Sequence, residues 1–217
     1  MTSDKKRILY SLVFPFIFVF ILWMVKVVEV LLDISLVNLG IYPLSAKGLP
    51  GIITAPLIHS DFSHLVANST SLFVLLAVLF YFYKEIAFKI FFLIYLFTDI
   101  WIWFGAREAF HIGASGLVYG LVSFLFVSGI IRRNPRLMAI TLLVTFLYGS
   151  LIWGIFPEFF PGRNISWESH LMGLIAGFVL AIYFRGHGPQ RKKYEWQDED
   201  EDDDENAYWK TADPKEI

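Results

Sequence analysis

Four of the five histidines, His59, His64, His111 and His170, fall at the edges of apolar runs, in company with Asn68 and Ser115. His64 and Asn68 are spaced i,i+4, which puts both on one face of a helix, with His59 just before it. Ser115 lies in Gly113-Ala114-Ser115-Gly116, where the glycines permit a tight entry and a close backbone approach. Tyr119 lies one turn further on the serine's face. His170 is followed by Gly173 and Gly177, a stripe of small residues matched by Gly116 and Gly120 after the serine. Helices with such stripes pack closely, which would bring His170 to Ser115. That pairing suits acyl transfer: an imidazole takes the proton of a serine hydroxyl as it attacks and returns it to the leaving amine. The tetrahedral oxyanion would find donors in the amides around Ser115, in His64 and in the Asn68 side chain, while Tyr119 could pack under the imidazole. Glu168, two residues before His170, is the candidate for a third member.

Other chemistries lack their residues. Zero cysteines exclude a disulfide framework, a thiolate metal site and a catalytic cysteine. Without a His-Glu-x-x-His or a helical histidine pair at i,i+4, no metal site is expected, and no glycine loop offers to cradle a phosphate. No cofactor is expected.

The elements that must position these groups are apolar. The 217 residues are 56% hydrophobic and 18% aromatic, with a mean hydropathy of +0.57, too oily for an ordinary soluble globule. Crossing about 30 Å of hydrocarbon takes roughly 20 helical residues. Charge-free runs near that length occupy Ile8 to Val25, Leu65 to Tyr83, Ile112 to Ile131 and Leu137 to Pro157. Two further spans carry charge: Ile86 to Phe104, with Lys89 and Asp99, and Trp167 to Phe184, with Glu168 and His170. Six transmembrane helices in an all-α bundle are predicted. The first run is too long for a signal peptide and lacks a cleavage site. Asp99, about a turn from the end of its span, is expected to hydrogen-bond locally.

Charge sets the orientation. With Lys5, Lys6 and Arg7 inside, so are Lys84, Lys89, Arg132, Arg133, Arg136, Arg185, Arg191, Lys192 and Lys193, leaving Lys26, Lys47, Arg107 and Arg163 outside. Both termini are then cytoplasmic, and the chain is an integral protein of the lipid bilayer, of the plasma membrane in a bacterium. Trp23, Trp101, Trp103, Trp153 and Trp167 fall near external helix ends, as interfacial rings should. The candidate site residues collect on that external side, where intramembrane polar groups are costly and usually functional. The connection from Lys26 to Asp61, broken by Gly40, Pro43, Gly48, Pro50 and Gly51, reads as a partly helical loop lying in the interface.

Residues 1–193 carry a net +7 and the remainder −9, with eight consecutive acids from Asp198 to Glu205. The membrane domain is therefore drawn at 1–185 and a cytoplasmic, disordered, basic-then-acidic tail at 186–217. The overall balance gives no reason to expect a nucleic-acid partner. The basic root, Arg185 and Arg191 to Lys193, could lie against anionic lipid.

Gly113-Ala114-Ser115-Gly116 with Tyr119, His170 with Gly173 and Gly177, and His59-x4-His64-x3-Asn68 together resemble the signature set of the rhomboid intramembrane serine proteases. The resemblance covers about residues 8 to 184. It implies a Ser115–His170 dyad with no required acid, and His64 and Asn68 with the Ser115 amide as oxyanion donors. It also implies substrates that are membrane proteins, cut within or beside a transmembrane segment. Three places depart from the family's pattern. Gly48-Leu49-Pro50-Gly51 stands where a Trp-Arg pair is common, Glu85 is followed by Phe88 and Lys89 where small residues are usual, and Ser169 stands where alanine often precedes the histidine. A non-catalytic membrane chaperone or channel is the alternative reading, and neither has reason to align a serine, a histidine and oxyanion donors on one side. Oligomeric state is not legible.

Overall fold

The computed structural model describes residues 3–147 and 166–190. Trp153, Arg163, the end of the span drawn to Pro157 and the acidic run all lie outside them. Among the described residues are seven α-helices and no strand: α1 Ser3–Leu31, α2 Gly51–Thr54, α3 Phe62–Phe82, α4 Ala87–Gly105, α5 Ser115–Ile131, α6 Pro135–Leu147 and α7 Trp167–Tyr183. Three are long and apolar enough to cross a membrane: Asp4–Leu31, Phe62–Phe82 and Ala87–Gly105. Shorter apolar helices occupy Ser115–Ile131, Pro135–Phe146 and Trp167–Tyr183.

Helix α1 runs six residues past Val25, the end of its charge-free run, because the charges beyond it find partners. Lys26 and Glu29 pair at 2.8 Å across one turn. The helix stops at Asp33, which takes a left-handed φ of 49°. The Ile34 amide then closes back on the Glu29 carbonyl at 3.1 Å, a Schellman-type ending. Helix α3 starts three residues before Leu65 because Asp61, with extended backbone, caps it. The Asp61 carboxylate accepts the His64 amide at 2.8 Å, and that cap fixes His64 in the first turn.

Apolar residues of α3, α4, α5 and α7 fill the core, among them Leu72, Leu76, Leu79, Ile90, Ile94, Leu121, Phe124 and Leu180. Outside it, Phe16, Phe20, Phe88, Phe92 and Phe146 are exposed, apolar surface that suits lipid rather than water. The pair α5–α7 packs main chain against main chain. A Cβ on Gly173 would overlap the Gly116 carbonyl, and one on Gly177 the Gly120 carbonyl.

This crossing gathers the N-terminal ends of α3, α5 and α7 at one end of the bundle, with the C-terminal ends of α1 and α4. The loop from 32 to 61 covers that end. It contains α2 and three 3₁₀ turns, at Val37–Leu39, Ala46–Gly48 and Ala55–Leu57. Reciprocal amide bonds between Ile41 and His111, 2.9 and 2.8 Å, and a Trp103 indole N–H to the Ser45 carbonyl at 3.1 Å pin it down.

Candidate active site

Ser115 is the first residue of α5, so free amides of the helix start surround its side chain. Gly113, just before it, has a φ of 104°, a region that L side chains rarely adopt. The same glycine makes room: a Cβ there would come within 2.6 Å of His64 Cε1, 3.0 Å of His64 Nε2 and 3.8 Å of Asn68 Nδ2. One residue thus turns the chain into α5 and lets His64 and Asn68 approach its start.

From α7, His170 reaches across the glycine crossing. Its Nε2 lies 2.9 Å from Ser115 Oγ. Tyr119 stacks on the imidazole at 4.2 Å between ring centroids and 14° between planes. The glycines bring the helices together as their stripes imply: Gly116 packs against the Ser169 backbone, and Gly173 and Gly177 receive α5.

The α3 side is polar, with His59 and Asn68 buried and Ser60 and Asp61 exposed. Asn68 is buried, and its Nδ2 has no hydrogen-bond partner among the described residues, a donor without an acceptor that such burial makes costly. His64 turns Nδ1 to Ser60 Oγ at 3.2 Å, and Ser60 donates to Asp61 Oδ2 at 2.7 Å. His59 lies edge-on to His64, 5.1 Å between centroids, and is buried to 1% exposure. Burial, then the neighbouring His64 and Lys26, push the His59 imidazole down to about 3, so it is neutral packing beneath His64.

Glu168, the candidate third member, and His111 are engaged elsewhere. Both oxygens of Glu168 accept from Arg107 Nη1 at 2.9 Å, so this acid is committed to a guanidinium. His111 Nδ1 lies 2.6 Å from Ser166 Oγ, and its Nε2 is 3.0 Å from the Arg107 carbonyl. It is a strut between the α4–α5 connection and the start of α7, and burial holds its imidazole below the usual range. Asp99 does not find the local partner expected of it: its Oδ2 is buried without a hydrogen bond among the described residues. No three metal-ligating side chains converge among the described residues.

Residues 47–187 match the family model for the Rhomboid domain. The chain belongs to the rhomboid family. It is 35% identical over 186 residues to "Uncharacterized protein Rv1337" of Mycobacterium tuberculosis (strain ATCC 25618 / H37Rv), covering 81% of this chain and 75% of that one. To "Putative rhomboid protease YdcA" of Bacillus subtilis (strain 168) it is 31% identical over 141 residues, 60% of this chain and 65% of the other. A "Putative rhomboid protein L523" of Acanthamoeba polyphaga mimivirus is 30% identical over 139 residues, 58% and 70%. Rhomboid membership and the long apolar helices make this an integral membrane protein.

The charge pattern puts Lys26 outside the first span and gives Glu29 no role. The signal available was their opposite charge at i,i+3 on one helical face. Arg107 and Glu168, 61 residues apart, left no such local trace.

Proposed function

We propose that this rhomboid is an intramembrane serine endopeptidase that cleaves transmembrane segments of other membrane proteins. Helices α1 and α3 to α7 are its six spans, both termini are cytoplasmic, and the gathered helix N-termini face the outside. The observation that carries the reading is the 2.9 Å approach of His170 Nε2 to Ser115 Oγ at the start of a helix.

In this reading His170 accepts the Ser115 proton as Oγ attacks the scissile carbonyl, and the carbonyl π pair moves onto oxygen. The oxyanion meets the Ser115 amide and the Asn68 Nδ2 donor, with His64 edging the same space. Collapse expels the amine, which takes the proton from His170, leaving an ester on Ser115. A water then repeats the sequence, with His170 as its base, and releases the acid. Tyr119, stacked on the imidazole, limits its rotation, and Glu168 is not needed.

Helix α5 has 17 residues, about 25 Å at 1.5 Å per residue, short of the hydrocarbon thickness of about 30 Å. The reaction therefore takes place below the membrane surface, where a helical substrate must unwind to expose its carbonyl. Substrates with Gly, Pro or Ser near the external end of the segment are favoured.

The test is a mechanism-based serine-hydrolase probe on the purified protein, with mass mapping of the label, beside cleavage of a model transmembrane substrate. Ser115→Ala is expected to abolish both, a loss on the order of a millionfold in turnover, with the fold retained. Cleavage that survives this change, or that a chelator stops, sinks the proposal.

A further inference from the structure

The external end of α1 holds an ion pair that the mechanism above does not use. Lys26 and Glu29 are each 8% exposed, a costly place for two charges. All three ammonium protons have acceptors in reach: Glu29 Oε2 at 2.8 Å, the His59 carbonyl at 3.0 Å and the Ser60 carbonyl at 3.1 Å. The other Glu29 oxygen accepts the Leu36 amide at 3.0 Å. A single side chain thus joins the end of α1 to the extended stretch that leads into α3.

That stretch touches the site twice. His59 packs its ring against His64, and Ser60 Oγ meets His64 Nδ1. Neither the His59 nor the Ser60 carbonyl belongs to a helix, so the Lys26 ammonium supplies hydrogen bonds that secondary structure does not. Trp23, one turn earlier on α1, donates its indole N–H to Ser69 Oγ at 3.1 Å, so the helix carrying the clamp is itself docked on α3.

We infer that Lys26, held by Glu29, is a positioning residue for the oxyanion side of the site: it clamps the His59–Ser60 backbone and, through Ser60 and His59, sets the place of the His64 ring beside Gly113. The inference rests on the protease reading. Its consequence is selective, because the clamp acts through His64, a group placed where charge develops on the carbonyl. Loosening it lowers turnover and leaves substrate affinity nearly unchanged.

The variant that tests this removes both charges together, Lys26→Met with Glu29→Gln, which keeps the volume and leaves no lone buried charge. Its kcat should fall on the order of tenfold with KM within about twofold. Hydrogen–deuterium exchange should rise in a peptide spanning residues 57–64 and stay unchanged in α5 and α7. Lys26→Arg, which keeps the charge, should recover part of the rate. If the double variant does not fold, Ser60→Ala, at an exposed position, should lower kcat in the same direction without a change in melting temperature. Unchanged turnover per folded molecule in the folded variant, or a loss that merely tracks melting temperature, overturns the inference. With the wild type labelled by the serine probe and cleaving, that outcome removes the clamp alone. A wild type that neither labels nor cleaves removes the protease reading and this inference together.

Discussion

The two sides of the candidate site are built by different means. Ser115 and His170 sit on helices that touch at their peptide groups, where Gly116, Gly120, Gly173 and Gly177 carry no side chain to hold them apart. His64 and Asn68 reach the same place from α3, steadied by a cap, a hydroxyl and an ammonium that come from a loop and from α1. The Ser115–His170 distance is therefore a property of backbone packing, and the placement of His64 and Asn68 is a property of polar side chains. Disturbance should reach the two sides differently.

The largest effect that separates them is expected at Asn68. Its amide donor has no partner among the described residues, so in the protease reading Asn68→Ala should cost on the order of a hundredfold to a thousandfold in kcat with little change in KM. Labelling of Ser115 by a probe that needs only the dyad should be reduced much less. A normal kcat per folded molecule, with a lowered melting temperature, would make Asn68 a packing residue and erase the distinction.

Gly173→Ala tests the other side. A methyl group there meets the Gly116 carbonyl, which cannot rotate away, so α5 and α7 must separate. A shift of about 1 Å in the dyad can cost on the order of a hundredfold, and here labelling and turnover should fall together. Labelling that persists while turnover drops would show that the seam does not set the dyad.

The smallest effect is on stability against pH. His59 titrates near 6.5 in an unfolded chain and at about 3 when folded, so the folded state resists a proton that the unfolded state accepts. Its contribution is complete above about pH 6.5 and is lost as pH falls toward 3, at about 1.4 kcal/mol per unit. His111 shifts in the same direction. The melting temperature in detergent should drop by a few degrees between pH 7 and pH 5, and His59→Gln should flatten that dependence. An equal slope in the variant would place the acid sensitivity elsewhere.

How far the sequence reveals this arrangement follows the same division. Ser115 and His170 are legible because a small-residue stripe is written at i,i+4 on each helix, and helix contact is what such a stripe encodes. His64 and Asn68 are legible for a similar reason, as polar residues on one face of an otherwise apolar run. The helix ends are blurred: a hydropathy count stops α1 at Val25, since it treats Lys26 as a boundary and has no means of knowing that His59 and Ser60 will meet its charge. His111 and Glu168 look like site residues because they lie on the right side in the right company. What assigns them to Ser166 and Arg107 is tertiary proximity over 55 and 61 residues, which periodicity does not carry.

In the protease reading, the glycine seam also bears on how a substrate gets in. Side chains can swing aside, but a carbonyl seated on an α-carbon has no rotamer to change, so the glycine contacts hold α5 and α7 as one packed pair. The parts that meet this pair through side chains, α3, α4 and α6 among the described residues, have rotamers that can change. A rotamer change in those parts would leave the 2.9 Å spacing of Ser115 and His170 in place.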